Sequence, residues 1–194
     1  MPRYTLIVIG TSMGALAALT ILIRNLPKDL NVPICIARHT ERTRPSILPA
    51  LLTSLGTLPV VHPSSVSPLI SGQIFLAPPA HHIQIEQDHL LLIACPDDGF
   101  CPSIDHLFQS AATAFGPQVI AIILTGNMYD GTRGLQAVKE AGGITIIQDP
   151  GEASSPSMPL NAQAHCSIDY CLPLAHIAPL LRMLTGWTEN SMVK

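Results

Sequence analysis

The chain has 194 residues, of which 47% are hydrophobic, 12% charged and 4% aromatic, and its formal net charge is -3. That length can bury a sizeable apolar core without metals or disulfides, and the composition excludes a disordered chain. A slightly acidic balance leaves no broad basic field to hold a phosphate backbone, which excludes nucleic-acid binding as a main role.

Tyr4 to Ile9 is a short apolar run ending at Gly10, after which Ala15, Leu16, Leu19, Leu22, Ile23 and Leu26 recur at helical spacing up to Pro27. This predicts strand, turn and helix. Thr5 to Ile23 carries no charge and follows Arg3, as an export signal or a membrane span would. Gly10, Ser12 and Gly14, however, interrupt it where either should be most apolar, so no membrane insertion is expected. Val32 to Ala37 predicts a second strand, and Pro45 stands at the first position of a helix through Leu55. Pro59 to His62 is a brief strand, followed by a loop from Pro63 to Ser71 rich in Pro and Ser. Gln73 to Ala77, Ile83 to Gln87 and Leu90 to Ala94 read as short strands with a turn at Asp88-His89, forming an antiparallel appendage or edge. Ser103 caps a predicted helix through Ala114 that Gly116-Pro117 stops. Val119 to Leu124 is a continuous apolar strand of the fully buried kind. A helix over Asp130 to Ala141, a strand over Gly143 to Gln148, a short helix near Leu160 to Ala164, a strand at Ile168 to Leu172 and a helix over Leu174 to Leu184 complete the pattern. Residues 185–194 are expected to fray. The predicted class is α/β: a doubly wound, mostly parallel sheet with helices on both faces and a short antiparallel hairpin appendage, in a single domain over 1–194.

The five cysteines, Cys35, Cys95, Cys101, Cys166 and Cys171, contain no C-x-x-C pair and leave one over. Free thiols in a reducing cytoplasm are expected, with neither a zinc site nor a disulfide framework, and no cofactor.

Gly10-Thr11-Ser12-Met13-Gly14 satisfies G-x-S-x-G at a predicted strand-to-helix junction, the setting of a nucleophile elbow. The helix start supplies unpaired N–H groups that can meet an oxyanion. In an open parallel sheet, groups at the carboxyl ends of strands converge at the point where strand order reverses. Ser12 follows the first predicted strand, His39 the second, and Asp130 the buried strand that ends at Leu124. These three are the predicted catalytic residues, with Met13, Gly14, Asn127 and Met128 as oxyanion or substrate-binding positions. Taken singly, His39 also reads as a loop residue and Asp130 as a helix cap. Strand, Gly10, helix and a basic residue at the second strand's end also imitate a site for NADP, but Ser12 replaces the glycine that lets a pyrophosphate approach.

Several segments together resemble the catalytic domain of the chemotaxis methylesterases over nearly the whole length. They are Ile9-Gly10-Thr11-Ser12-Met13-Gly14, Arg38-His39, Gly72-Gln73-Ile74-Phe75-Leu76-Ala77-Pro78, Pro102-Ser103-Ile104-Asp105-His106-Leu107-Phe108, Leu124-Thr125-Gly126, Asp130-Gly131, Glu152-Ala153-Ser154-Ser155 and Met158-Pro159. The resemblance implies a cytoplasmic serine hydrolase that removes methyl groups from glutamate methyl esters on chemoreceptor helices and that also deamidates glutamine. The family's serine, histidine and aspartate fall on Ser12, His39 and Asp130. Arg38, Arg42 and Arg44 read first as solvated loop charges, with contact to acidic receptor helices as the alternative. The chain departs from the family at Met13, at Asn127-Met128 and at Cys101, where arginine is common, which also leaves open a catalytically silent, receptor-binding domain of the same fold. The receiver domain usual in the family does not precede the first strand, so phosphorylation is not expected to act within the chain.

Overall fold

The computed structural model describes residues 4–41, 46–96 and 100–186. Along the chain run β1 (Leu6–Thr11), α1 (Ala15–Asn25), β2 (Ile34–Arg38), α2 (Leu48–Leu55), β3 (Val60–Val61), β4 (Val66–Pro68), β5 (Ile74–Leu76), β6 (His81–Ile85) and β7 (His89–Ala94). There follow α3 (Ile104–Phe115), a 3-10 turn at Gly116–Gln118, β8 (Val119–Ile123), α4 (Thr132–Glu140), β9 (Ile144–Gln148), α5 (Ser157–His165), β10 (Tyr170–Leu172) and α6 (Leu174–Leu184).

Seven strands pair in parallel in the order β10-β9-β8-β1-β2-β5-β3. The period-two alternation of β1 sends Ile7 and Ile9 to one face and Leu6 and Val8 to the other. On the first face Leu19, Leu22 and Ile23 of α1, Leu52 of α2 and Ile177 and Leu181 of α6 close the core. On the second, Leu107 and Phe108 of α3, Leu135 and Val138 of α4, and Met158 of α5 do so. Both faces are therefore dry, as the near-continuous apolar strands require. Strand order reverses at β1, whose neighbours are β2 on one side and β8 on the other, so their carboxyl ends open one crevice.

The expected α/β class is observed, with local differences. Gln73 to Ala77, expected in the antiparallel appendage, supplies β5 of the parallel sheet between β2 and β3. Its three residues are all buried, as a strand covered on both faces must be. The antiparallel unit is instead a three-stranded sheet in the order β4-β7-β6, and β4 arises inside the stretch read as a loop. Ile85 pairs with Leu90 and the Glu86 N–H donates to the His89 carbonyl, so the turn centres on Gln87-Asp88, one residue before the expected place. The second helix starts at Leu48, where the Ser46 hydroxyl accepts the Leu48 N–H, rather than at Pro45, which lies outside the described residues. Residues 187–194 of the expected frayed tail also lie outside them. Among the described residues no helix is long and apolar enough to cross a membrane.

The free-thiol expectation holds for Cys35, Cys166 and Cys171 but not for Cys95 and Cys101, which form a disulfide. A C-x5-C spacing matches no metal motif, and the pairing depends on how the chain returns from β7 to α3, which residue counting does not reveal.

Candidate active site

Ser12 directly follows β1, where the chain must turn at once into α1. Gly14 makes that turn with φ +80°, and a Cβ there would lie 2.0 Å from the Ser154 hydroxyl. A side chain has neither the conformation nor the space. The loop after β8 packs against the elbow from the other side: a Cβ on Gly126 would come within 3.0 Å of the Ser12 Cβ and 3.1 Å of its nitrogen. Thr125 locks the two loops together. Its carbonyl accepts the Ser12 N–H and the Thr11 hydroxyl, and its own hydroxyl meets the Met13 carbonyl at 3.0 Å and the Ser154 hydroxyl at 3.1 Å.

His39 leaves β2 beside this elbow, its Nδ1 3.2 Å from Ser12 Oγ and its Nε2 2.7 Å from Asp130 Oδ2. Asp130 is 2% exposed and His39 15%. An ionised carboxylate can only accept, so Nε2 carries the ring proton and the lone pair on Nδ1 faces the serine.

The expectation that a helix begins at Asp130 needs correction. α4 begins at Thr132, because the Asp130 side chain is turned to a different helix. Oδ2 accepts the Ile104 N–H at 2.7 Å, and Oδ1 accepts the Asp105 N–H at 3.0 Å and the Ser103 hydroxyl at 3.3 Å. The carboxylate thus sits on the amino end of α3, with the helix dipole in its favour. Asp105 returns the arrangement by accepting the N–H groups of Gly131 and Gly134 at the start of α4. Burial would push the Asp130 carboxyl up, but the hydrogen bond from His39 and those from the Ile104 and Asp105 amides together hold it below the usual carboxylate range. Burial is the main reason that Asp105 moves the other way, upward.

A carboxyl held below its unfolded value adds stability above that value and loses it as the pH falls through the folded one. The urea midpoint of the wild-type chain should therefore drop below about pH 4, and that drop should be smaller in Asp130→Ala. Parallel midpoint curves for the two chains between pH 5 and pH 2 would contradict the assignment.

Met13, Asn127 and Met128 are exposed at the mouth of the site, and the backbone N–H groups of Met13 and Asn127 make no hydrogen bond among the described residues. The Met128 N–H is occupied, donating to Ser157 Oγ at 3.1 Å. Arg38 lies partly buried, bonded to the Thr40 hydroxyl at 3.2 Å, with burial lowering its basicity. Arg42 and Arg44 lie outside the described residues. Among those described, no group of His, Cys, Asp and Glu converges as a metal site. Two residues that sequence reasoning passed over belong here: Ser103, read only as a cap, also reaches Asp130, and Phe100 lies against the His39 ring.

The sequence model of the CheB methylesterase family matches residues 7–181. The chain belongs to the CheB methylesterase family. The crystal structure of the Thermotoga maritima CheB methylesterase catalytic domain superposes with a TM-score of 0.87 at 28% identity, covering 93% of this chain and 98% of that one. A Leptospira interrogans relative named for protein-glutamate methylesterase and protein-glutamine glutaminase is 34% identical over 92% of this chain and 93% of its own length. The Myxococcus xanthus protein-glutamate methylesterase FrzG is 33% identical over 93% of this chain, which spans only 54% of that protein. The elbow at Ser12, the His39 strand end and the Asp130 loop all fall within the region that the CheB methylesterase match covers.

Proposed function

We propose that this chain is a protein-glutamate methylesterase of bacterial chemotaxis, acting in the cytoplasm on methylated chemoreceptor helices through Ser12, His39 and Asp130. The observation that carries the reading is the continuous path from Ser12 Oγ through both His39 nitrogens to the buried Asp130 carboxylate. His39 takes the serine proton on Nδ1 while Ser12 attacks the ester carbonyl. Asp130 holds the tautomer and steadies the imidazolium without taking the proton itself. The N–H groups of Met13 and Asn127 receive the oxyanion, each such donor contributing about 3 kcal/mol in other hydrolases. His39 returns its proton to the leaving methanol, then draws one from water as that water opens the acyl-enzyme and frees the glutamate. A glutamine side chain follows the same course with ammonia leaving, so glutaminase activity accompanies the esterase.

A dinucleotide at the start of α1 is disfavoured, because Gly126 packs on Ser12 and the Ser154 hydroxyl lies beside Gly14, in the approach a pyrophosphate would need. The deciding experiment is release of methanol from a methylated receptor, run beside labelling of Ser12 by a fluorophosphonate. Turnover together with labelling is expected. Receptor binding with neither would mean a silent interaction domain.

A further inference from the structure

The return from β7 to α3 carries features that the hydrolytic steps leave unused. Cys95, just after β7, is joined to Cys101, just before α3. Phe100, next to Cys101, lies flat on the His39 ring, with centroids 4.9 Å apart and planes 5° from parallel. Phe100 also makes an edge-to-face contact with Tyr129, at 5.5 Å and 85°. The Cys101 carbonyl accepts the Thr40 N–H at 3.3 Å, which ties the cross-linked segment to the residue after His39. His82 Nδ1 accepts the Ser103 N–H at 2.9 Å and lies 3.7 Å from Cys95 Sγ, so the bridge is braced on the side of α3 as well.

The hydrogen bonds of His39 to Ser12 and Asp130 hold its two nitrogens at the ring edge and put nothing against the ring faces. A flat contact on the ring face supplies the missing restraint. We propose that Phe100 is a positioning residue for His39 and that the Cys95–Cys101 bond keeps it in place, so that reduction of this bond by a dithiol slows hydrolysis. The inference rests on the reading of His39 as the general base.

The exchange balances without further reagents. A thiolate of the dithiol attacks the sulfur of Cys95, a half-buried residue, and the Cys101 sulfur leaves and takes a proton. The second thiol of the reductant then displaces Cys95, so two electrons and two protons pass from the dithiol to the protein and the reductant becomes a disulfide. Where disulfides occur in reducing compartments they are mostly redox-sensing or catalytic, which fits a bond placed beside a general base.

The test uses the full chain, methanol release from a methylated receptor, and a count of thiols in denaturant before and after dithiothreitol. The oxidised chain should show three free thiols, Cys35, Cys166 and Cys171. Reduction should expose two more. It should also lower kcat about 3- to 10-fold with KM unchanged, and oxidised glutathione should reverse the loss. Phe100→Leu should show the same loss in the oxidised state and none further on reduction, while Phe100→Tyr should retain both rate and redox response. A Cys95→Ser, Cys101→Ser double variant should match the reduced chain under every treatment; were it to misfold, the two Phe100 variants still decide.

Five free thiols in the oxidised chain, an unchanged kcat on reduction, or a Phe100→Leu effect on KM instead of kcat would each overturn the proposal. Turnover that survives Ser12→Ala would instead remove the triad reading beneath it. Turnover abolished by Ser12→Ala but indifferent to Phe100→Leu would overturn this inference alone.

Discussion

Replacing Ser12 with alanine is expected to lower methanol release from a methylated receptor by about 10⁶-fold, the scale seen when the nucleophile of such a triad is removed. The size follows from what the change leaves behind. Alanine keeps the elbow, since Gly14 and Gly126 set its shape and the Ser12 N–H still donates to the Thr125 carbonyl. Fold and receptor affinity should therefore persist while the covalent route disappears. Residual turnover can come only from the oxyanion donors and substrate binding, and fluorophosphonate labelling should be absent. A variant that hydrolysed the ester at the wild-type rate, with its mass confirmed, would mean that the reaction uses another nucleophile.

The elbow was legible because its chemistry is local: a sharp strand-to-helix turn admits few residue types, and Gly10-Thr11-Ser12-Met13-Gly14 has them. His39 and Asp130 were legible for a topological reason. Parallel strands fully buried on both faces announce themselves as unbroken apolar runs, and whatever follows each run lies at the same edge of the sheet. The surroundings of Asp130 were not. Its partners, the amides of Ile104 and Asp105, lie 26 and 25 residues away on a helix whose cap at Ser103 and stop at Gly116-Pro117 were readable but whose contact with Asp130 was not. Backbone donors carry no residue signature. β5 was misplaced for a related reason: three buried residues between turn signals fit a hairpin and a parallel strand equally well, and only long-range pairing with β2 and β3 separates them. Phe100 and the Cys95–Cys101 bridge lie on an aperiodic connection, where neither helical nor strand spacing has anything to report.

Asp130→Ala is expected to lower kcat by about 10⁴-fold, somewhat less than loss of the nucleophile, as in dissected triads. Unlike Ser12→Ala, it should also destabilise the fold. The carboxylate accepts from His39, Ile104, Asp105 and Ser103, so alanine strands buried donors at the amino end of α3, and a loss of about 2–4 kcal/mol is expected in urea denaturation. Asparagine separates the two effects. Its single oxygen is best placed at the Oδ2 position, where it keeps the two 2.7 Å bonds from Ile104 and His39. The amide NH₂ then faces the Ser103 hydroxyl, which can turn to accept, and the Asp105 N–H, which cannot. The reverse orientation would set two donors against each other at Ile104 and force the His39 proton onto Nδ1, against Ser12. Asp130→Asn should therefore recover most of the stability lost by alanine. It should also keep the productive tautomer while losing the negative charge that steadies the imidazolium, leaving kcat between the alanine variant and wild type. An asparagine variant as slow as alanine that also recovers only part of the lost stability would show that the reversed amide prevails, and equal activity in all three chains would remove Asp130 from the mechanism.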